Sequence, residues 1–323
     1  MTGLRNDHRP ATDRSAAARH HAVQIARRHY GALIDAWNSA GWVEDARRCA
    51  ELAVEQGIWE SPLRRPQDLV PGLRADPLPD PAGFWFTALL EERFPEIQAE
   101  VEGVLTSARD PLRPTAQDGW LTDAGTWHQA HLFREGRWQE HTATLFPATR
   151  RILGDIPEVT SLSPGVIMLS RLTPGTHIAP HCGSTNAVYR LHLAVRTSPE
   201  AWIRVGEQRV SWRTGRCLIF DDSFEHEVFH GGGEDRIVLI MDLPHPDLPP
   251  EARGRLIQHQ LTPEERMVAF MRERGLSGVD RAGDRVVLHP DPPTRALITD
   301  YMAANGIRGA RLDDAGVSWV REA

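Results

Sequence analysis

Two histidines, His181 and His226, lie 45 positions apart, and an arginine, Arg236, follows ten positions after the second. His181 sits in Ala-Pro-His-Cys-Gly and His226 in Phe-Glu-His-Glu-Val. Two imidazoles from separate segments are the beginning of a divalent metal site. A non-haem Fe(II) oxygenase commonly adds one carboxylate and keeps positions open for a co-substrate and O₂. That carboxylate is expected two residues after the first histidine, where this chain has Gly183. Water is then an alternative third ligand, and Asp221 or Asp222 another. Cys182 follows His181 directly, so in a strand it faces the other way, toward packing. The plainer reading leaves both histidines as ordinary polar residues at strand ends.

The neighbours bear on that choice. Arg236 opens an otherwise apolar run, Ile237 to Met241, and Ser170 closes another, Val166 to Leu169. Arg190 and His192 alternate along one segment and share a face. Unpaired polar groups buried in apolar strands cost on the order of 1–3 kcal/mol each. A bound acidic ligand would supply partners. A dicarboxylate such as 2-oxoglutarate needs a cation for its far carboxylate, and the forked guanidinium suits that pairing. For Arg190 alone, a solvated face is the simpler reading.

Positioning these groups requires strands. Short apolar runs separated by Gly, Pro and Ser fall at 166–172, 189–196, 201–205, 208–212, 216–220, 227–230 and 236–242. Such runs predict antiparallel strands closing into a double-layered roll, whose mouth can bring distant strand ends together. Upstream, apolar spacing predicts helices over 16–39 and 43–56, a hairpin turning at Gly41, read as packing on the side of the roll. It has no second copy, which speaks against a repeat array. The Pro-rich stretch 61–82 predicts an extended surface connector. Helices are expected over 84–106 and 141–153, a loop over 110–124, a strand over 126–133 and a charged turn over 134–137. Beyond Pro249-Pro250, a small α/β appendage is expected. Its helices fall at 262–274 and 294–305 and its strands at 285–289 and 317–320. The domain reading is therefore a hairpin (1–60), a connector (61–82), a roll with flanking helices (83–248) and an extension (249–323).

The 323 residues suffice for one large or two ordinary domains. Hydrophobic content of 41% fits a globular core, and a net charge of −7 disfavours a general nucleic-acid partner. All 37 basic residues are arginine, which we read as coding bias. No run is apolar enough to span a bilayer, and residues 1–19 lack a signal-peptide core. Three scattered cysteines make no disulfide framework, so a reducing, cytoplasmic location is expected.

The stretch from Leu172 through Pro174-Gly175-Thr176-His177-Ile178-Ala179-Pro180-His181-Cys182-Gly183 resembles the aspartyl/asparaginyl β-hydroxylase family. So do Arg190-Leu191-His192-Leu193, Phe220-Asp221-Asp222-Ser223-Phe224-Glu225-His226-Glu227, Arg236 and His245-Pro246-Asp247-Leu248. The likeness is close over 170–248 and weaker over 67–75 and 127–137. It implies a mainly β, double-stranded β-helix (jelly roll, cupin-like) dioxygenase using Fe(II), 2-oxoglutarate and O₂. Members hold iron with two histidines and no carboxylate, so Gly183 fits. The resemblance assigns His181 and His226 to iron, and Ser170 and Arg236 to the distal carboxylate of 2-oxoglutarate. It sets His192 near the metal-side carboxylate and makes Arg190 a substrate-carboxylate contact. Two departures touch the substrate pocket. Met168 stands where a basic residue is expected, and 121–124 lacks an expected arginine. The resulting expectation is hydroxylation, at the β-carbon, of an Asp- or Asn-like unit in a peptide, a free amino acid or a carrier-bound one. Rival readings are a halogenase with chloride at the vacant position, a lipid acyl-chain hydroxylase, and a non-catalytic metal-binding module. No membrane partner is expected.

Overall fold

The segment from Arg236 to Pro244 reads Arg-Ile-Val-Leu-Ile-Met-Asp-Leu-Pro, and all but its last residue are buried. A strand apolar on both faces must lie between two layers. In the computed structural model of the chain it does. The structure describes residues 11–115, 121–134, 136–162, 165–249, 252–253, 279–282, 285–288, 311–313 and 316–320.

Two helices come first, α1 (Ala11–Ser39) and α2 (Val43–Glu55), then a 3-10 turn at Pro81–Gly83 and helices α3 (Trp85–Glu92) and α4 (Phe94–Leu105). Strands β1 (Arg113–Pro114), β2 (Thr122–Ala124), β3 (Trp127–Arg134) and β4 (Arg137–Trp138) precede short helices α5 (Glu140–Ala143), α6 (Pro147–Gly154) and α7 (Pro157–Thr160). Then follow β5 (Val166–Leu172), β6 (His177–His181), β7 (Val188–Arg196), β8 (Ala201–Val205), β9 (Gln208–Ser211), β10 (Cys217–Phe220), β11 (His226–His230) and β12 (Arg236–Pro244). Further on come β13 (Val279–Ala282), β14 (Arg285–Leu288), β15 (Arg311–Asp313) and β16 (Gly316–Val320).

One sheet runs β1-β3-β5-β12-β7-β10, with β4 on β3; a second runs β2-β6-β11-β8-β9. Pairing is antiparallel throughout both sheets. The fold is mainly β, a double-stranded β-helix. Alternation along β12 explains its double burial. Ile237, Leu239, Met241 and Leu243 belong to one core with Val159 of α7, Leu90 of α3 and Ile97 and Val101 of α4. The opposite face looks toward the second sheet, where Leu172, Ile178, Ala194, Ile203, Trp212, Phe220 and Val228 form an inter-sheet core. Helices α3, α4, α6 and α7 cover one face of the first sheet, which leaves the other free to build a cavity. The strands β13-β14-β16-β15 form a separate antiparallel sheet.

Some expectations needed correction. The helix over 84–106 is two helices, because Pro95 starts α4 and cannot continue the helix before it. The helix over 141–153 likewise splits at Pro147. The loop over 110–124 contains β1 and β2. Strand β6, which carries His181, does not stand out in the sequence because prolines 174 and 180 punctuate it. Pro180 is tolerated because its carbonyl, not an N–H, is engaged: it accepts from the buried Asn38 side chain at 3.0 Å. The expected helices over 262–274 and 294–305 lie outside the described residues. The expected strands over 285–289 and 317–320 correspond to β14 and β16.

The N-terminal hairpin turns where Gly41 takes φ +78°, and it buries Ile34, Ala46, Ala50 and Ala53 between its helices. It does more than pack, as the cavity below shows. The Pro-rich connector is also more than a surface strap. Arg65 is 3% exposed, its N–H donates to Ser223 O at 3.0 Å, and its Nη1 meets Glu225 at 2.9 Å. Asp68 N donates to Ser184 O at 2.8 Å, and Asn186 closes both backbone groups of Val70. These bonds tie the connector to the loops that flank the two histidines, so it is drawn inward.

Candidate active site

His181 ends β6 and His226 begins β11, and the two are direct cross-strand partners. Residues 45 apart in sequence thus bring their rings to a centroid separation of 4.1 Å. Each ring is fixed by its own chain. His181 Nδ1 donates to Ala179 O at 2.9 Å, and His226 Nδ1 donates to Phe224 O at 3.0 Å. A carbonyl can only accept, so both rings are the Nδ1–H tautomer and both Nε2 lone pairs are free. Burial, then the neighbouring His226, lowers His181 to about 3; burial lowers His226 to about 4. Two neutral imidazoles whose rings lie 4.1 Å apart and line one cavity suit a divalent metal.

Gly183 has a steric reason. A Cβ there would lie 2.4 Å from the carboxyl carbon of Asp222. Gly183 N also donates to Asp222 O at 2.6 Å. No side chain fits two residues after His181 while Asp222 keeps its place. Of the two neighbouring aspartates, only Asp222 lines the cavity. Asp221 is occupied elsewhere, accepting from Ser223 Oγ at 2.5 Å and from Arg64 Nη2 at 3.0 Å. Cys182 lines the cavity wall as well, and burial pushes its thiol up to about 12.

Strand β7 supplies Arg190 and His192 to the same face. Arg190 is clamped: its Nε donates to Asp222 at 3.0 Å, and its Nη1 lies 2.6 Å from Asp242. Burial works against its charge, but Asp242 and Asp222 more than offset that and push its pKa above the ordinary arginine range. Asp242, from β12, is a site residue that the sequence signals only as an acid inside an apolar strand. His192 is 6% exposed, and its Nδ1 accepts from Trp212 Nε1 at 3.3 Å. Its Nε2 is therefore the protonated nitrogen. Burial, then Arg236, holds the ring neutral.

Ser170 on β5 is 2% exposed and accepts from Trp127 Nε1 at 3.0 Å. Arg236 is equally buried, yet its Nε and Nη2 have no hydrogen-bond partner, and no carboxylate pairs with it among the described residues. Only the face of Trp212 meets it, with the guanidinium carbon 3.6 Å from the ring centre. Burial lowers its pKa to about 9. Trp127 and Trp212 escape a sequence reading because an indole in an apolar run looks like core.

All six predicted residues line one cavity of about 350 Å³: His181, His226, Ser170, His192, Arg236 and Arg190. Met168, Gln129, Ile240 and Phe220 line it too. Two further residues arrive from outside the roll, Asp35 on α1 and Gln67 in the connector.

Residues 91–246 match the family model described as "Aspartyl/Asparaginyl beta-hydroxylase". The human aspartyl/asparaginyl beta-hydroxylase is 35% identical over 233 residues, covering 71% of this chain and 30% of the human protein. This region belongs to the aspartyl/asparaginyl β-hydroxylase family. An ornithine lipid ester-linked acyl 2-hydroxylase of Rhizobium tropici is 35% identical over 179 residues, 53% of this chain and 61% of that protein. The chain thus spans under a third of the human β-hydroxylase's length. Among solved structures, a Pseudomonas putida prolyl-4-hydroxylase aligns at TM-score 0.33 and 10% identity, over 50% of this chain and 98% of that one. Among the described residues, no helix is long and apolar enough to cross a membrane.

Proposed function

We propose that this chain is an Fe(II)- and 2-oxoglutarate-dependent hydroxylase acting on a C–H of a polar amino-acid unit, at the β-carbon of an Asp- or Asn-like group. The observation that carries the reading is the bare Arg236 guanidinium, buried in the same cavity as two neutral, cross-strand histidines. A buried cation without an anion costs several kcal/mol unless a ligand supplies one. The far carboxylate of 2-oxoglutarate supplies it, with Ser170 as a second contact.

In this reading His181 and His226 hold the metal through Nε2. Trp212 orients His192 so that its Nε2–H donates into the cavity, toward the metal-side carboxylate. Asp222 fills the space a side chain at 183 would need, and it aims Arg190. Bound iron, with 2-oxoglutarate and O₂, supplies the oxidation that turns C–H into C–OH while the co-substrate becomes succinate and CO₂. The apolar wall of Phe220, Ile203, Val228 and Ile240 excludes water from that step.

Two features weigh against the rivals. The Asp222 carboxylate occupies the space beside Gly183, and its negative charge there disfavours chloride and so a halogenase. Gln67, Gln129 and Asp35 in the lining disfavour an acyl chain. The test is an anaerobic titration of Mn(II) and 2-oxoglutarate by calorimetry, with wild-type protein and His181→Ala. We expect binding that the substitution reduces at least a hundredfold, and products one oxygen heavier when iron and air are supplied. A wild-type protein that takes up neither metal nor co-substrate would refute the reading and favour a non-catalytic module.

A further inference from the structure

The charges lining the cavity are not matched once the ligands above are assigned. Two cations line it, Arg190 and Arg236, and two carboxylates, Asp222 and Asp35. Arg236 is the seat for the co-substrate. Arg190 is answered by Asp222 at 3.0 Å and by Asp242 at 2.6 Å. Asp35 is the remaining charge. Among the described residues its carboxylate accepts no hydrogen bond and forms no ion pair; Arg65 acts on it electrostatically without touching it. Arg65 Nη1 is bound to Glu225 at 2.9 Å, and its Nε and Nη2 have no hydrogen-bond partner.

The placement of Asp35 is built, not incidental. Asn38 lies one turn further along α1 on the same face. Its buried amide donates to Pro180 O at 3.0 Å, next to His181. That bond locks α1 against β6 beside the metal corner and turns Asp35 into the cavity. Burial raises the Asp35 carboxyl to about 6, with Arg65 opposing the rise. Where a basic residue is expected on β5, Met168 is apolar and lines the same cavity. The substrate end of the cavity therefore offers an anion and no second free cation.

We propose that Asp35 receives an ammonium group of the substrate, so that the chain acts on an amino-acid unit whose amine is free, not on a residue within a peptide. The inference rests on the function proposed above. Arg190 Nη2, the guanidinium nitrogen not engaged by Asp222 or Asp242, is left to meet a substrate carboxylate. Cation and anion handles in one cavity match a zwitterion, whereas an interior Asp or Asn residue of a peptide has no cation to offer Asp35 and would leave it desolvated.

The experiment is calorimetric binding to the 323-residue chain loaded with Mn(II) and 2-oxoglutarate without oxygen. The probes are the twenty free amino acids, their N-acetyl counterparts, and a peptide with aspartate at its centre. We expect at least one free amino acid to bind tenfold or more tightly than its acetylated form. Asp35→Asn should abolish that preference while leaving 2-oxoglutarate affinity unchanged and the protein no less stable to heat. Asp35→Glu should retain part of it. Equal binding of acetylated probes, binding of the peptide alone, no binding of any free amino acid, or an unaltered preference in Asp35→Asn would overturn the proposal. The preloading titration separates the two failures: without co-substrate uptake the function reading falls, and with it only this inference is at stake.

Discussion

Arg190 and Arg236 line the same cavity, but their surroundings are opposite. Arg190 sits between two carboxylates that hold its charge firmly, while Arg236 is bare except for the face of Trp212. Burial opposes both charges. Only Arg190 has that opposition offset within the chain. A guanidinium neutralised by its own fold is a positioning device, because its anions are already present. One left without an anion is a seat for a ligand. Residue type and burial alone do not separate the two; the partners do.

Removing the clamp should have the largest effect on stability. Arg190→Met leaves Asp222 and Asp242, each 9% exposed, facing each other without a cation. A loss of about 3 kcal/mol in chemical denaturation is expected, with partial recovery in Arg190→Met/Asp242→Asn. Unchanged stability would show that the clamp is idle.

Arg236→Met should reverse that pattern. Stability holds or rises by about 1 kcal/mol, since an uncompensated buried charge is gone. Affinity for 2-oxoglutarate falls about a hundredfold, the order expected for lost charge-assisted hydrogen bonds. Arg236→Lys keeps a charge but not the fork, and should recover only part of the loss. Equal destabilisation by both Arg→Met changes would erase the contrast between the two arginines.

Metal binding should depend little on pH. His181 titrates at about 3 and His226 at about 4, so protons do not compete near neutrality. Mn(II) affinity should stay flat from pH 8 to about 5 and fall below that, whereas imidazoles with an ordinary pKa of about 6.5 would lose affinity from pH 6.5 downward. For folding the sign is the same. These depressed values contribute stability above about 6.5 that is lost as pH falls toward 4. Burial raises Asp35, Asp221 and Asp242 to about 6 each, and these work the other way over about 4 to 6. Acid unfolding of the metal-free protein should therefore be shallower than the histidines alone would give.

The smallest effect is expected at Trp212. Trp212→Phe keeps an aromatic face under Arg236 but loses the bond to His192. A rise of about three- to tenfold in KM for 2-oxoglutarate is expected, the worth of one hydrogen bond, with metal affinity unchanged. Trp212→Leu loses the ring contact as well and should cost more.

The strands were legible because their signal is local. The run 166–172 coincides with β5 and 201–205 with β8, and the remaining runs of the roll differ from their strands by one or two residues at an end. β6 was not legible, because proline punctuation hides a strand whose pairing comes from β2 and β11. Helix breaks at Arg93 and Phe146 were missed because apolar spacing continues across them while Pro95 and Pro147 reset the backbone. Asp35 and Gln67 were missed for a different reason: nothing near them in sequence refers to the cavity. They reach it only because Asn38 and Asp68 are bonded to Pro180 and Ser184.

Sequence by itself determined the roll, the pair of histidines, and the presence of a serine, a histidine and two arginines in strands that would otherwise be apolar. Those follow from period-two alternation and from polar residues out of place within it, both readable over a few positions. Tertiary structure alone decided which arginine is free, why position 183 has no side chain, and that a helix from the start of the chain adds an acid to the cavity wall. Each of these depends on groups tens to more than a hundred residues apart, and a charge's worth in a buried site is set by what the fold places within a few ångströms of it.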